Sequence, residues 1–317
     1  MKPELEQHGP GSSNLRLSRI ALGCGNFGGV GSAPAFFGRG LDRDQALKLM
    51  DAAWELGITH FDTADAYGGG RSESAIGEWI ASRDVRPTIT TKTFNPMEAG
   101  ADHGLAPDRV RRQLESSLER LGVESVELYL AHEFDPEIPL EEAFGAFEEL
   151  VEDGRIDGYG VSNFDASQLR AALEAGRPAA VQNARSLLER ADDDEVLPLC
   201  ARNRVAYLAF GPLSGGWLTG KYRRGEPFPA GSRMTQRPEP YASLVSERTF
   251  TSLERLEAFA RARGTSMAAV ALAWLLADDR VTQVVVGPGR PEHLEPVREA
   301  LDSPLSRGEL RQVEELL

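Results

Sequence analysis

The chain has 317 residues, with 35 Lys and Arg against 49 Asp and Glu, for a formal charge of −14 at pH 7. That length suits two ordinary domains or one α/β barrel with a single large core. The acid excess, without a basic arm or patch, argues against nucleic acid or an anionic membrane surface as a partner, so an anionic ligand would need a local positive pocket.

The first stretch, MKPELEQHGPGSSN, is polar and has no apolar leader segment; it is expected to be a flexible tail over 1–14, ahead of a domain spanning 15–317. Short β-like runs then alternate with helix-patterned segments. The strands are IALG (20–23), THFDT (59–63), TITTK (88–92), VELYLA (126–131), DGYGVS (157–162), AAVQN (179–183), VAYLAF (205–210) and TQVVVG (282–287). Between the first two, RDQALKLMDAAWELG places Ala46, Leu49, Met50, Ala53 and Leu56 on one helical face, with Gly57 as its stop. PDRVRRQLESSLERLG repeats the unit, with Pro107 near its start, Val110, Leu114, Leu118 and Leu121 inward, and Gly122 at its end. LEEAFGAFEELVEDG does so again, with Leu140, Phe144, Phe147 and Val151 inward and Gly154 closing it. After the fifth strand, Asp165 is placed to cap a helix carrying Leu169, Ala172 and Leu173.

Strands alternating with helices imply parallel pairing, and eight such units close into a single (β/α)8 barrel, whose active site lies at the C-terminal ends of the strands. One connection is long and Pro-rich: the 222–245 stretch before a helix near Ser246 is read as a lid. Cys24 and Cys200 are too few for a disulfide framework, and no Cys/His cluster forms a metal site, which fits a reducing cytoplasm. No apolar run approaches membrane-spanning length.

Asp62, Lys92 and His132 fall at the ends of strands two, three and four, and Tyr67 lies five residues beyond Asp62. A phenol is a weak acid with an ordinary pKa near 10, so proton donation near neutral pH calls for a neighbouring charge. Lys92 supplies a cation, Asp62 holds it charged, and His132 is suited to hydrogen-bond a substrate oxygen beside Tyr67. Each residue also has a plain structural use: Asp62 as a turn cap, Lys92 reaching to solvent, Tyr67 as packing, His132 as a satisfied loop histidine. These residues alone leave that choice open.

FDTADAYGGGRSESAIG (61–77), TTK (90–92), LYLAH (128–132), GYGVSNF (158–164), VQN (181–183) and FGPLSGGWLTGKY (210–222) together resemble the aldo-keto reductase superfamily, in the same order and over nearly the whole chain. The resemblance implies reduction of a small-molecule aldehyde or ketone with a nicotinamide cofactor, NADPH ahead of NADH. It implies Tyr67 as acid, Lys92 and Asp62 as its tuning pair, and His132 as the group that orients substrate. Ser162 and Asn163 match the pair that binds the nicotinamide carboxamide, with Gln182 beside them and Phe210 where an aromatic stacks on the ring. Gly211 to Lys221, including Pro212, Leu213, Ser214 and Gly216, match the pyrophosphate loop, and Asn26 falls near cofactor or substrate. Gly287, Gly289, Arg290 and His293 occupy the adenosine-phosphate segment, with Arg290 matched to a ribose 2′-phosphate. Here the chain departs from the family pattern: GPG replaces proline-then-glycine, His293 stands at a common glutamine, and Pro296 intrudes. Ala184-Arg185 likewise replaces a common Glu-Tyr pair, with Arg185 facing either an acidic substrate or the outer helices.

Two other readings compete. Gly23-Cys24-Gly25-Asn26-Phe27-Gly28 is a literal GxGxxG, but the GGVGSAPAFFGRG that follows opens no helix, so the dinucleotide fingerprint fails. Phe36, Phe37 and the 93–105 segment are instead expected to wall the substrate. The other reading is a cofactor-binding regulatory subunit resembling potassium-channel β subunits; such members typically lack the histidine that stands here as His132.

Overall fold

The computed structural model describes residues 15 and 17–317, with the backbone of Gln7–His8. The tail expected over 1–14 otherwise lies outside the described residues; Gln7–His8 forms a short strand antiparallel to Leu17–Ser18. Eight parallel strands close into a barrel: β1 (Ile20–Gly23), β2 (His60–Asp62), β3 (Thr88–Thr93), β4 (Val126–Ala131), β5 (Ile156–Ser162), β6 (Ala180–Ala184), β7 (Ala206–Phe210) and β8 (Gln283–Val286). They follow one another in chain order, and β8 bonds both β7 and β1. The expected (β/α)8 fold is therefore present, with strand ends shifted by a residue or so.

The chain divides into two compact units. The first, residues 1–183, 192–210 and 280–292, holds the barrel. Its helices are α1 (Arg43–Glu55), α2 (Arg71–Arg83), α3 (Pro107–Leu121), α4 (Leu140–Glu152), α5 (Ala166–Ala175) and α6 (Val196–Asn203). Asp42 and Asp165 begin α1 and α5 with reciprocal capping boxes to Gln45 and Gln168, each satisfying helix-start N–H groups that would otherwise lack partners. Gly122, at φ 67, ends α3 in the left-handed conformation that closes a helix without side-chain strain. The apolar stripes are buried as expected except that Leu56 and Leu173, at the ends of α1 and α5, are half-buried, and that α4 needs a correction. Val151 is 36% exposed, and Leu150 takes the inward place. Both lie one turn beyond Phe147, but Leu150 continues the face set by Ala143, Ala146 and Phe147, whereas Val151 falls past its edge.

Period-two alternation decides what the barrel encloses. Phe61 turns outward against Trp54 of α1 and Trp79 of α2, at ring separations of 6.5 and 5.1 Å. Its neighbours His60 and Asp62 therefore face the interior. Leu128, Leu130, Ala180, Ala206 and Leu208 form an apolar cluster that Leu15 and Leu17, just ahead of β1, join.

The second unit, residues 184–191, 211–279 and 293–317, holds α7 (Arg233–Gln236), α8 (Glu247–Ala262), α9 (Met267–Leu276), α10 (Glu295–Asp302) and α11 (Arg307–Glu315). Helix α9 is apolar all round and buried from Met267 to Leu275, as a core helix should be. The 222–245 stretch is not an irregular loop: it carries α7 and a 3-10 turn over Glu239–Leu244, and it buries Tyr222 and Met234.

The GxGxxG segment opens no helix; a 3-10 turn at Pro34–Phe36 is the regular element that follows it. The backbone of this segment and of Gly29 just after it packs closely against the turn after β2. A Cβ on Gly68, which sits at φ +61, would lie 2.7 Å from the Phe27 carbonyl oxygen, and one on Gly29 would lie 2.8 Å from Gly68 Cα. Gly68→Ala combines left-handed strain with a backbone clash, so it is expected to lower unfolding free energy by about 2–4 kcal/mol, read as a lower urea midpoint at unchanged slope.

Candidate active site

Four of the side chains singled out in the sequence meet at the C-terminal end of β2, β3 and β4. Lys92 Nζ donates to Asp62 Oδ1 at 2.6 Å, to the Thr63 carbonyl at 2.8 Å, and lies 3.4 Å from the Tyr67 hydroxyl. The ammonium also sits 5.0 Å from the centre of the Tyr67 ring. Lys92 is 0% and Asp62 3% exposed, so this is an ion pair removed from water. Across the barrel, Gln182 Nε2 donates to Asp62 Oδ2 at 2.7 Å. His132 packs edge-on to Tyr67, with ring centres 5.5 Å apart. Neither solvent-reaching lysine nor turn-capping aspartate describes what these residues do.

Charge and burial set the protonation states. Burial pushes His132 down to about 3, and Lys92 adds to the effect, so the imidazole is neutral and offers one donor and one acceptor nitrogen. Burial works against the Lys92 ammonium, but Asp62 and Tyr67 outweigh it and hold Lys92 above its ordinary range. For Tyr67, burial raises the phenol pKa; Lys92 pulls it down as expected, Asp62 pushes it up, and burial prevails. Tyr67 is thus a protonated phenol touching a cation, able to give up its proton when negative charge develops on a neighbouring oxygen.

The residues matched to cofactor contacts lie as follows. In the barrel unit, Ser162 Oγ donates to the Gln182 carbonyl at 2.9 Å, and Asn163 Nδ2 donates to the His132 carbonyl at 2.9 Å. Asn163 is exposed and held at φ 60, an uncommon conformation that asparagine tolerates. Asn26 Nδ2 donates to the Pro288 carbonyl at 2.9 Å, joining the segment of Gly287, Gly289 and Arg290 to the loop after β1. Its buried Oδ1 has no hydrogen-bond partner among the described residues. Arg290 is 68% exposed, 3.6 Å from Glu292. Phe210 is half-buried at the end of β7.

In the second unit, the Gly211–Lys221 stretch winds through left-handed residues: Gly211 at φ 65, Ser214 at 44, Gly215 at 62 and Gly216 at 97. Leu213 lies between Gly211 and Ser214 at φ −112, ψ 16, and the loop closes on itself: Ser214 N–H donates to the Gly211 carbonyl at 2.9 Å and Gly216 N–H to the Leu213 carbonyl at 2.8 Å. The Lys221 chain folds over Gly216, where a Cβ would come within 2.3 Å of Nζ. Ser214 Oγ bonds Ser186 Oγ at 2.6 Å and Glu189 at 3.0 Å. His293 lies exposed in a 3-10 turn over Pro291–Leu294. Arg185 is 1% exposed, paired with Asp278 at 2.8 Å and laid over the Trp274 ring at 4.5 Å. It is a packing residue of this unit.

Sequence reading missed three features. The Thr63 carbonyl and the Gln182 amide complete the Lys92–Asp62 pair, and a buried cluster of Asp65, Thr93 and Arg109 lies behind it. For Asp65 a signal was present, an acidic residue between Asp62 and Tyr67. Among the described residues no group of His, Cys, Asp and Glu could hold a metal ion, and no helix is long and apolar enough to cross a membrane.

Residues 19–317 match the model of the Aldo/keto reductase family. The chain is 34% identical to the uncharacterized oxidoreductase YrpG of Bacillus subtilis, over 96% of this chain and 94% of the relative. It is 34% identical to the L-glyceraldehyde 3-phosphate reductase of Escherichia coli K12, over 96% and 90%. In structure it is similar to the glycerol dehydrogenase AKR11B4 of Gluconobacter oxydans, with a TM-score of 0.83, 28% identity, and 99% and 95% of the two chains covered.

The neutral His132 has a thermodynamic signature. Its folded pKa lies below its unfolded value of about 6.5, so between those values the unfolded chain binds the extra proton and stability falls as pH drops. From pH 7 to 5, wild type is expected to lose about 2 kcal/mol more stability than His132→Gln, as measured by urea unfolding of both.

Proposed function

Because the chain belongs to the aldo/keto reductase family and is an NAD(P)H-dependent oxidoreductase, we propose that it reduces an aldehyde or ketone to an alcohol with NADPH, using Tyr67 as proton donor. The observation that carries this reading is the buried Lys92–Asp62 pair touching the Tyr67 hydroxyl beside a neutral His132. The family match over 19–317 supports reading residues 15–317 as one reductase domain.

The residues present fit a dinucleotide. Asn26 keeps a buried oxygen without a partner among the described residues, and beside it the backbone at Gly287 is open, with no atom within 4 Å of a Cβ placed there. Ser162, Asn163 and Gln182 would hold the nicotinamide carboxamide, Phe210 its ring face, Gly211 to Lys221 the pyrophosphate, and Gly287 to His293 the adenosine end. When bound, the nicotinamide supplies the hydride to the carbonyl carbon. The carbonyl oxygen accepts hydrogen bonds from Tyr67 and from an N–H of His132. As charge builds on that oxygen, the Tyr67 proton moves to it, and Lys92, already pinned by Asp62 and the Thr63 carbonyl, stabilises the phenolate left behind without having to move. The reaction is expected in the cytoplasm.

The choice of NADPH rests on Arg290, whose planar fork matches a 2′-phosphate. Its partner Glu292 makes only a surface pair, which a phosphate can replace at little cost. A regulatory cofactor-binding subunit would have no use for His132 set against Tyr67.

Tyr67→Phe is expected to lower kcat for an accepted aldehyde by about 10²–10⁴-fold while NADPH still binds, as followed by cofactor fluorescence; near wild-type turnover would refute the donor assignment. Arg290→Ala is expected to weaken NADPH about tenfold or more and to leave NADH within about twofold. Equal losses for both would remove the 2′-phosphate role.

A further inference from the structure

The polar cluster behind the ion pair consists of Asp65, Thr93 and Arg109, which are 0%, 0% and 3% exposed. None of them is needed to neutralise Lys92. Asp65 lies on the turn between β2 and Tyr67, two residues before the phenol. That turn is tied to β3 by main chain and side chain together: Asp65 N–H donates to the Lys92 carbonyl at 3.0 Å, Thr93 Oγ1 donates to Asp65 Oδ2 at 2.7 Å, and Ala66 N–H donates to Asp65 Oδ1 at 2.6 Å.

Arg109, from the first turn of α3, fixes the direction of the Thr93 hydroxyl. Its Nη1 donates to Thr93 Oγ1 at 2.8 Å and to the Gly104 carbonyl at 3.0 Å, and its Nη2 donates to the Asn95 carbonyl at 2.9 Å. With a guanidinium proton on its oxygen, the hydroxyl has its own hydrogen left for Asp65. The charged side chains around the cluster are Glu73 of α2, paired with Arg120, and Asp102, 3.8 Å from Arg109 Nε. Burial and then Glu73 push the Asp65 carboxyl up to about 7, while Thr93 and Arg109 pull it back. Thr93 also reaches the other side of the site, because its carbonyl accepts the His132 N–H at 2.9 Å.

Thr93 thus holds the Asp65 side chain, two residues before Tyr67, through its hydroxyl and the backbone N–H of His132 through its carbonyl. We propose that Asp65, Thr93 and Arg109 form a buried positioning relay that fixes the Tyr67 hydroxyl relative to His132, so that proton transfer depends on three side chains that never touch the substrate. The proposal rests on the reading of Tyr67 as proton donor. Reacting groups displaced by about 1 Å can lose about 10²-fold in rate, so loosening the turn should appear in kcat and not in cofactor binding.

The test compares Thr93→Val, Thr93→Ser and Tyr67→Phe with wild type, using an accepted aldehyde for kcat and KM and NADPH fluorescence for cofactor Kd. Thr93→Val, which keeps shape and loses the hydroxyl, is expected to lower kcat at least about tenfold, with cofactor Kd within about twofold, and Thr93→Ser to restore kcat to within about threefold of wild type. A Thr93→Val kcat within threefold of wild type, or failure of serine to rescue, overturns the relay. In that case an inactive Tyr67→Phe leaves the donor assignment standing, whereas an active Tyr67→Phe removes both. If Thr93→Val does not accumulate as folded protein, Arg109→Lys takes its place. One ammonium cannot serve Thr93, Gly104 and Asn95 with the reach of a guanidinium, so the same kcat-selective loss supports the relay and wild-type kcat overturns it.

Discussion

A lysine with no exposure to solvent has to be compensated where it stands, and most of this site follows from how that is done. Removing an ammonium from water costs several kcal/mol unless opposite charge and hydrogen bonds surround it. Here Lys92 of β3 is met by the Asp62 carboxylate and the Thr63 carbonyl of the adjoining strand end. Asp62 in turn has its second oxygen satisfied from the far wall of the barrel by Gln182. The donor left over on the ammonium points to the Tyr67 hydroxyl. A charge stranded in a protein interior thereby becomes a fixed field at the one phenol that needs it, and the same field helps to keep His132 unprotonated.

The ion pair sets the energies of the site, but it does not by itself hold the phenol in place. Tyr67 sits on a turn, half-buried, and a turn is the mobile part of a barrel rim. It is fastened from two sides: by the Asp65–Thr93 bonds to β3, and by backbone packing against the glycines of the loop after β1. Neither fastening uses the Lys92 ammonium, so in the proposed reading electrostatic tuning and geometric placement fall to different side chains.

The barrel was legible because each strand and helix announces itself locally. Asp42, Asp165, Gly57 and Gly122 mark helix ends by their own chemistry, and the stripes of α1 and α3 need no tertiary knowledge. Val151 was misplaced because two adjacent aliphatics at the last turn of α4 straddle the edge of the buried face, and only packing chooses between them. In the site, Asp62, Lys92 and His132 were found by counting strand ends. Gln182 was seen as a cofactor ligand and not as a partner of Asp62, since a contact across the barrel leaves no trace in local spacing. Arg109 was hidden for a similar reason: on a helix rich in arginine, nothing in the sequence distinguishes the one that turns inward.

The glycine seam between the loop after β1 and the Tyr67 turn also limits how this rim can be altered. Gly29 and Gly68 lie backbone to backbone, and a Cβ on Gly40 would come within 2.0 Å of the Gly29 carbonyl oxygen. Two loops joined so closely behave as a single piece of wall, so neither can be lengthened or resurfaced without dragging Tyr67 along. The exposed 98–100 stretch after β3 carries no such contact, a Cβ on Gly100 meeting nothing within 4 Å, so extra chain there would leave the seam where it is.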